Sequence, residues 1–308
     1  MVVPTVSVVV PALNEERNIP HVFERIPEDM HQVVLVDGRS VDNTVEVARK
    51  LRPDLCVVSQ TRTGKGNALA CGFEAATGDV IAMVDADGSA DPTEIPRFVA
   101  ALLGGADFAK GTRFLPGGGS ADITRLRAQG NYALTTFFNL CYRRKYSDLC
   151  YGFNVFWRRH LPVLGLDATS PPRKDGTPLW GDGFEIETLI HVRVARAGLR
   201  VAEVPSFEYK RIHGVSNLNA VRDGVRVVRT IFADRARNQR LQRQRRRAVV
   251  PPVAAPPAEE EPQATQEPRV KEEPPTAEKA EKQAGGPTAA RRLATGTESS
   301  QKHIPSRR

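Results

Sequence analysis

The sequence predicts an α/β protein built on a mostly parallel central sheet flanked by helices, and three observations carry that prediction. Apolar runs of four or five residues, rich in branched side chains, recur at strand rather than helix length. Between them lie segments long enough for one helix each, which is the spacing of βαβ units. The polar residues that stand out sit where those runs stop, and parallel sheets gather ligands beyond the carboxyl ends of their strands.

Val6 to Val10 is the first predicted strand, followed by the loop Pro11-Ala-Leu-Asn-Glu-Glu and a helix over 18–26. A second strand, Val33 to Val36, ends at Asp37. The turn Gly38-Arg-Ser-Val-Asp-Asn-Thr then leads to a helix near 41–51. Leu55 to Ser59 is a third strand with Thr61-Arg-Thr-Gly-Lys-Gly behind it, and a helix follows over 68–76. Val80 to Val84 is a fourth, and at its end stand Asp85 and Asp87. Pro92 opens a helix to about Leu103, and 107–110 starts another strand. Further on, 125–142 reads as a long helix, 151–157 as a strand and 181–197 as a helix closed by Gly198. A strand over 201–204 and a last helix over about 219–240 complete the order.

Two carboxylates flanking one small residue repel each other unless a hard cation lies between them, and Mg2+ or Mn2+ suits oxygen ligands with positions left open for phosphates. A polar turn after a strand would look similar. The convergence of Asn14, Asp37, Lys65, Asp85 and Asp87 on strand ends favours the cation reading. Two other phosphate loops are excluded. Gly64-Lys65-Gly66 is not a P-loop, because Ser59 stands at its first glycine and Gly66 replaces the hydroxyl residue. Nor is it a dinucleotide fingerprint, because Leu69 stands at the third glycine.

The net charge of +8 suggests a nucleic-acid binder, but its distribution does not. Residues 1–234 hold 28 basic and 27 acidic side chains, 235–247 hold seven Arg and no acid, and 248–308 balance nine against nine. The globular part is therefore nearly neutral, and nucleic acid is a disfavoured partner. Cys56, Cys71, Cys141 and Cys150 have neither C-x-x-C nor metal-finger spacing, as expected of reduced thiols in a cytoplasmic protein. Neither a signal peptide nor a transmembrane run is expected from the pattern.

Four ordered segments carry a family resemblance: Val8-Val-Val-Pro-Ala-Leu-Asn-Glu-Glu, Val36-Asp-Gly-Arg-Ser-Val-Asp-Asn-Thr, Gly64-Lys-Gly-Asn-Ala-Leu and Asp85-Ala-Asp. Together they resemble the family 2 glycosyltransferases, nearest the dolichol-phosphate mannose synthase-like branch, over roughly residues 5–230. The resemblance implies a GT-A fold, a nucleotide diphosphate sugar donor, Mg2+ or Mn2+, and inversion at the anomeric carbon. It also implies that Pro11, Ala12, Asn14, Glu15 and Asp37 line the base and ribose site, and that Asp85 and Asp87 hold the metal against the diphosphate. Charge grows on the departing nucleoside diphosphate, so a bridging dication suits the chemistry. Lys65 is either a second cation on those phosphates or a solvated loop lysine.

In the second half, Arg113 follows a strand where the family has an arginine at the sugar or phosphate site; a surface salt bridge is the other reading. Pro116-Gly-Gly-Gly-Ser reads as a flexible, lid-like loop. The 125–142 helix, with its aromatics and the basic Arg143, Arg144 and Lys145, is either core or a membrane-interface helix. Asp148 resembles the acceptor-side aspartate of the lipid-phosphate branch. Asp182 and Glu185, three apart on the expected helix, stand where the family has acceptor-site carboxylates, although a helix dipole favours acids there too. Arg211-Ile-His-Gly-Val-Ser-Asn-Leu is similar to the family's diphosphate-contacting loop, giving Arg211 and Ser216, with Asn217 in place of its usual lysine.

The expected organisation is a GT-A domain over 1–234, a basic helical extension over 235–248 and a disordered, Pro- and Glu-rich tail over 249–308. Arg235 to Arg247 would draw the protein to an anionic membrane surface, peripheral to the cytoplasmic face, or bind nucleic acid, or simply be solvated. Three functions follow. The first is hexose transfer to a polyprenyl phosphate, which is already anionic and needs no base. The second is transfer to a hydroxyl on a glycan or small molecule, needing a carboxylate base from Asp182, Asp148 or Glu185. The third is an inactive GT-A domain that binds an anionic surface or nucleic acid.

Overall fold

Strands β1 (Val6–Ala12), β2 (Gln32–Asp37), β3 (Cys56–Ser59) and β4 (Val80–Met83) pair in parallel, in the order β3-β2-β1-β4. This is a computed structural model, and it describes residues 3–175, 179–214 and 220–248. These residues fall within one compact unit, 1–251; the expected disordered tail lies outside the described residues. The sheet continues through β7 (Asn154–Trp157), β5 (Phe108–Thr112) and β8 (Val201–Pro205), giving seven strands in all. β7 is antiparallel to both β4 and β5, whereas β8 runs parallel to β5. A chain entering an inverted strand starts from the edge where its parallel neighbours finish. The Asp148–Phe153 segment is thereby delivered to the same rim as Asp85, which the sequence pattern did not foresee.

Strand alternation sorts the apolar side chains to two faces. Val8, Val10, Val33, Leu35, Val80 and Ala82 pack beneath α1 (Ile19–Phe23), α2 (Thr44–Leu51) and α4 (Ile95–Leu103). Val9, Val34, Val36, Ile81 and Met83 pack beneath α3 (Lys65–Ala75), α6 (Leu161–Leu164) and α7 (Ile186–Arg196). Strands loaded on both faces need helices on both, so the near-continuous apolar runs and the sandwiched sheet have one cause. A third cluster joins α5 (Arg125–Tyr142), α7 and α8 (Ala220–Ala248) through Phe138, Tyr146, Leu149, Val192, Val227 and Ile231. One face of α5 is core, with Asn131, Thr135 and Phe138 buried, whereas Leu126, Tyr132 and Leu140 are exposed. A small parallel pair, β6 (Gly119–Ser120) and β9 (Phe207–Glu208), pins the glycine-rich loop after β5.

Several boundaries differ from the sequence expectation. α3 starts at Lys65 rather than 68, so Lys65 is its first residue and not part of a free loop. α7 starts at Ile186, five residues later than expected. Gly181, with φ +98°, and the local bonds of Asp182 and Glu185 hold the preceding stretch in turns. The four cysteines are free, Cys71 buried and Cys56, Cys141 and Cys150 partly so. Among the described residues no helix is long and apolar enough to cross a membrane.

Candidate active site

The rim at the carboxyl ends of the parallel strands carries Asp37, Asp85 and Asp87, with Glu15 on the loop after β1. Asp37 ends β2 opposite Ala12, and its carboxylate accepts the Arg39 and Ser40 N–H groups at 3.1 Å each. Asn14, in the left-handed region at φ 57°, accepts the Val41 N–H at 2.9 Å through its side chain. The Asn14 N–H donates to Ser40 Oγ at 3.0 Å, and Ala12 O accepts the Gly38 N–H at 2.8 Å. Asn14 and Asp37 thus stitch the loops after β1 and β2 into one floor, beside Pro11.

Two cations at this rim are each held between two carboxylates from different loops. Lys65 Nζ lies 2.8 Å from Asp85 Oδ1 and 2.6 Å from Glu187 Oε1. Arg211 donates to Glu15 Oε1 at 3.1 Å and approaches Asp87 Oδ2 at 3.1 Å. Burial alone would depress the Lys65 ammonium, but Asp85 and Glu187 outweigh it and hold its pKa above the ordinary lysine range. The Asp85 carboxyl is pushed up by burial, with Asp87 and Glu187 adding to the shift and Lys65 opposing it. Gly152 borders this group: a Cβ there would stand 3.0 Å from Glu187 Oε1 and 3.5 Å from Asp85 Oδ2.

The Lys65 turn fits only glycines on either side. A Cβ on Gly66 would lie 1.8 Å from Gly181 O, and one on Gly64, at φ +128°, 2.2 Å from Asp182 O. The Gly66 N–H donates to that same Asp182 oxygen at 2.7 Å. Lys65 is therefore aimed by backbone contact between the loop after β3 and the turn before α7.

The three carboxylates named as bases sit in structural roles. Asp182 takes two 2.8 Å bonds from Arg62, with the two side chains 5% and 4% exposed, and also accepts the Leu179 N–H at 3.0 Å. Asp148 is fully buried against Arg113, which donates to it at 2.8 and 3.0 Å and to Glu208 at 3.0 Å. Burial would raise the Asp148 carboxyl, but the bonds from Arg113 and the charge of Lys110 hold it below the usual range. Glu185 accepts the Gly181 and Gly183 N–H groups at 3.0 and 3.2 Å. Arg113 is a buried link between β5, β9 and the strand entering the sheet, rather than a surface salt bridge. Ser216 lies outside the described residues.

Glu187 is the rim residue that the sequence reading passed over. It is 24% exposed and stands within reach of Lys65 beside Asp85. Placing the helix start at Ile186 would have flagged it as the acid of the first turn.

Asp85, Asp87, Glu15 and Glu187 face Lys65 and Arg211, so four carboxylates against two cations leave two negative charges uncompensated. All the donors are oxygens, so the group fits a hard dication. Among the described residues no set of three or more His, Cys, Asp or Glu is arranged as a finished metal site. Asp85 and Asp87 would supply part of a coordination sphere and leave the remainder to other oxygens.

A mixed sheet with one inverted strand and an acidic pair at its carboxyl-end rim is the GT-A architecture of sugar-transferring enzymes. The model of glycosyl transferase family 2 matches residues 7–164, and the chain belongs to that family. It is 42% identical over 219 residues to an uncharacterized glycosyltransferase of Mycobacterium tuberculosis, spanning 70% of this chain and 89% of that protein. It is 29% identical over 222 residues to the polyprenol monophosphomannose synthase of Mycolicibacterium smegmatis, covering 69% of this chain and 80% of that one. Among solved structures it resembles glucosyl-3-phosphoglycerate synthase of Mycobacterium tuberculosis, crystallised with Mn2+, UDP-glucose and glycerol 3-phosphate. That match has a TM-score of 0.54 and 25% identity, and covers 75% of this chain and 79% of that one.

Proposed function

We propose that this glycosyltransferase is metal-dependent and inverting, and that it moves a hexose from a nucleotide diphosphate sugar to a polyprenyl phosphate. The observation that carries the reading is the two-charge deficit at the rim around Asp85 and Asp87. Those two residues would hold Mg2+ or Mn2+, which when bound supplies charge stabilisation to the departing nucleoside diphosphate. Pro11, Ala12, Asn14, Glu15 and Asp37 would seat the nucleoside on the stitched floor. Lys65 and Arg211 would turn from their carboxylate partners toward the donor phosphates, because a diphosphate offers the same charge-assisted bonds. Ser216 joins this set by resemblance alone.

The lipid acceptor draws its support from α5. The buried Asn131 on this helix donates to Asp148 at 3.0 Å, linking it to Arg113, while its outer face exposes Leu126, Tyr132 and Leu140. An apolar face in a chain that also carries the arginine run 235–247 suits the surface of an anionic leaflet, with each arginine contributing on the order of 1 kcal/mol. The family relationship to a polyprenol monophosphomannose synthase supports the same acceptor. The domain would then work peripherally at the cytoplasmic face of a membrane.

Transfer to a hydroxyl acceptor needs a base. Asp182 and Asp148 are committed to arginines and Glu185 to backbone N–H groups, so Glu187, half-buried beside Asp85, is the carboxylate that reading would use. A donor panel with Mg2+ or Mn2+, scored for UDP or GDP release with and without polyprenyl phosphate, separates the cases. Polyprenyl phosphate is expected to stimulate release. Stimulation by a hydroxyl acceptor alone would favour the second reading, and no release from any donor would point to an inactive binding domain.

A further inference from the structure

Asn18 stands at the N-terminal boundary of α1, where an asparagine side chain ordinarily accepts an N–H of its own helix. It makes no such bond, although the residue is only 3% exposed. Its amide is spent instead on a segment 195 residues further along the chain. Oδ1 accepts the His213 N–H at 2.9 Å, and Nδ2 donates to His213 O at 3.2 Å. The same Nδ2 donates to Glu15 Oε2. A primary amide offers one acceptor and two donor hydrogens, and here each has a partner.

Glu15 completes the connection. Its Oε2 takes the Asn18 amide while its Oε1 takes Arg211 at 3.1 Å, and Arg211 also reaches Asp87 Oδ2 at 3.1 Å. Residues 206–213 run as a strap over the turn that carries Asp87. The Tyr209 N–H donates to Ser89 O at 2.8 Å and the Ile212 N–H to Asp87 O at 3.3 Å. The Ile212 side chain covers Gly88, where a Cβ would meet its Cδ1 at 2.6 Å. Glu208 fixes the near part of the strap through Arg113, and Asn18 fixes it at His213. Asn18 therefore holds both sides of one ion pair: the backbone two residues beyond Arg211, and the carboxylate that Arg211 meets.

We propose that Asn18 is a positioning residue that latches the 206–213 strap to the loop after β1 and so fixes the aim of Arg211 at the rim, where Arg211 is to meet the donor diphosphate. The diphosphate contact rests on the function proposed above; the latch does not.

Trypsin reads the latch directly, because Lys210 and Arg211 are themselves cleavage sites and the rate of cutting follows the population of the opened strap. The full-length parent, Asn18→Ala and the nearly isosteric Asn18→Asp are digested briefly and scored by mass spectrometry for cutting after Lys210 and Arg211. Cutting after Arg97 in α4 measures global opening. Asn18→Ala is expected to raise the ratio of the two by about tenfold, the loss of two bonds to the His213 backbone. Asn18→Asp keeps the acceptor but loses both donations, and raises the ratio as well. The second readout is calorimetric binding of UDP and GDP with Mn2+ to the parent, Asn18→Ala, Arg211→Ala and the double variant. Arg211→Ala is expected to weaken the nucleotide by about tenfold, the loss of one charge-assisted bond. The double variant is no weaker, because Asn18 acts through Arg211, whereas a merely structural Asn18 would add its own loss. Should Asn18→Ala not fold, Asn18→Asp serves in both arms. The proposal is overturned if the Asn18 variants are cut at the parent ratio, or if the losses add. If the parent binds neither nucleotide while the Asn18 variants are still cut faster, the latch stands and the diphosphate reading falls.

Discussion

Removing the Arg62 guanidinium while keeping its bulk, as in Arg62→Met, leaves the Asp182 carboxylate buried with the Leu179 N–H, at 3.0 Å, as its remaining hydrogen bond among the described residues. The substitution deletes two 2.8 Å charge-assisted bonds and uncaps the carbonyls of Ser170 and Asp167. Breaking a buried pair from one side costs about 3–5 kcal/mol, because a charge is stranded in the interior. For a domain of this size that corresponds to a fall in melting temperature of about 6–20 °C. Urea and thermal unfolding of Arg62→Met, Asp182→Asn and the double variant would measure it. The double variant should lose clearly less than the sum of the singles, since partners in one ion pair are coupled. Asp182→Asn should lower stability while activity per folded molecule is largely retained. A loss below about 1 kcal/mol in Arg62→Met, or additive singles, would refute the reading of Arg62 and Asp182 as a coupled, buried structural pair.

Other consequences are as specific. Gly66→Ala would force a Cβ to 1.8 Å from Gly181 O and should destabilise by at least about 1–3 kcal/mol while raising the donor KM. Gly130→Ala, with nothing within 4 Å in the exposed middle of α5, should stabilise by about 0.5–1 kcal/mol, and paired melts read both. His191 is fully buried with neither ring nitrogen bonded, and burial, reinforced by Lys110, holds its pKa well below 6.5. Its folded form binds fewer protons than the unfolded chain, so its contribution is present above pH 6.5 and lost as pH falls below that value. Urea unfolding should show a loss of up to about 1.4 kcal/mol per pH unit that is absent in His191→Leu. Lys65→Met should weaken donor binding by roughly tenfold, one charge-assisted bond, and unchanged affinity would return Lys65 to a purely structural role.

The first half of the molecule was legible because its information is local. Four branched apolar runs, three of them ending at the polar residues Asp37, Ser59 and Asp85, specify parallel strands and put Asp37, Asp85 and Asp87 on one rim. The inversion of β7 was not legible, since strand direction is decided by pairing with Met83 and Lys110, far away in sequence. Asp182 and Asp148 drew functional readings through the resemblance to acceptor-side carboxylates, and nothing local reveals that Arg62 and Arg113 pair with them. Glu187 was missed through a boundary error. Starting α7 at Gly181 puts Glu187 in the second turn, whereas the side-chain bonds of Asp182 and Glu185 delay the start to Ile186 and make it the acid of the first turn.

Mn2+ titration followed by electron paramagnetic resonance, with and without UDP or GDP, bears most directly on the rim chemistry. The expected result is metal binding that strengthens when nucleoside diphosphate is present and is lost in Asp85→Asn and Asp87→Asn proteins that still fold. Nucleotide binding that is indifferent to Mn2+, or metal binding that survives both substitutions, would contradict the assignment of Asp85 and Asp87 to a cation-bridged diphosphate.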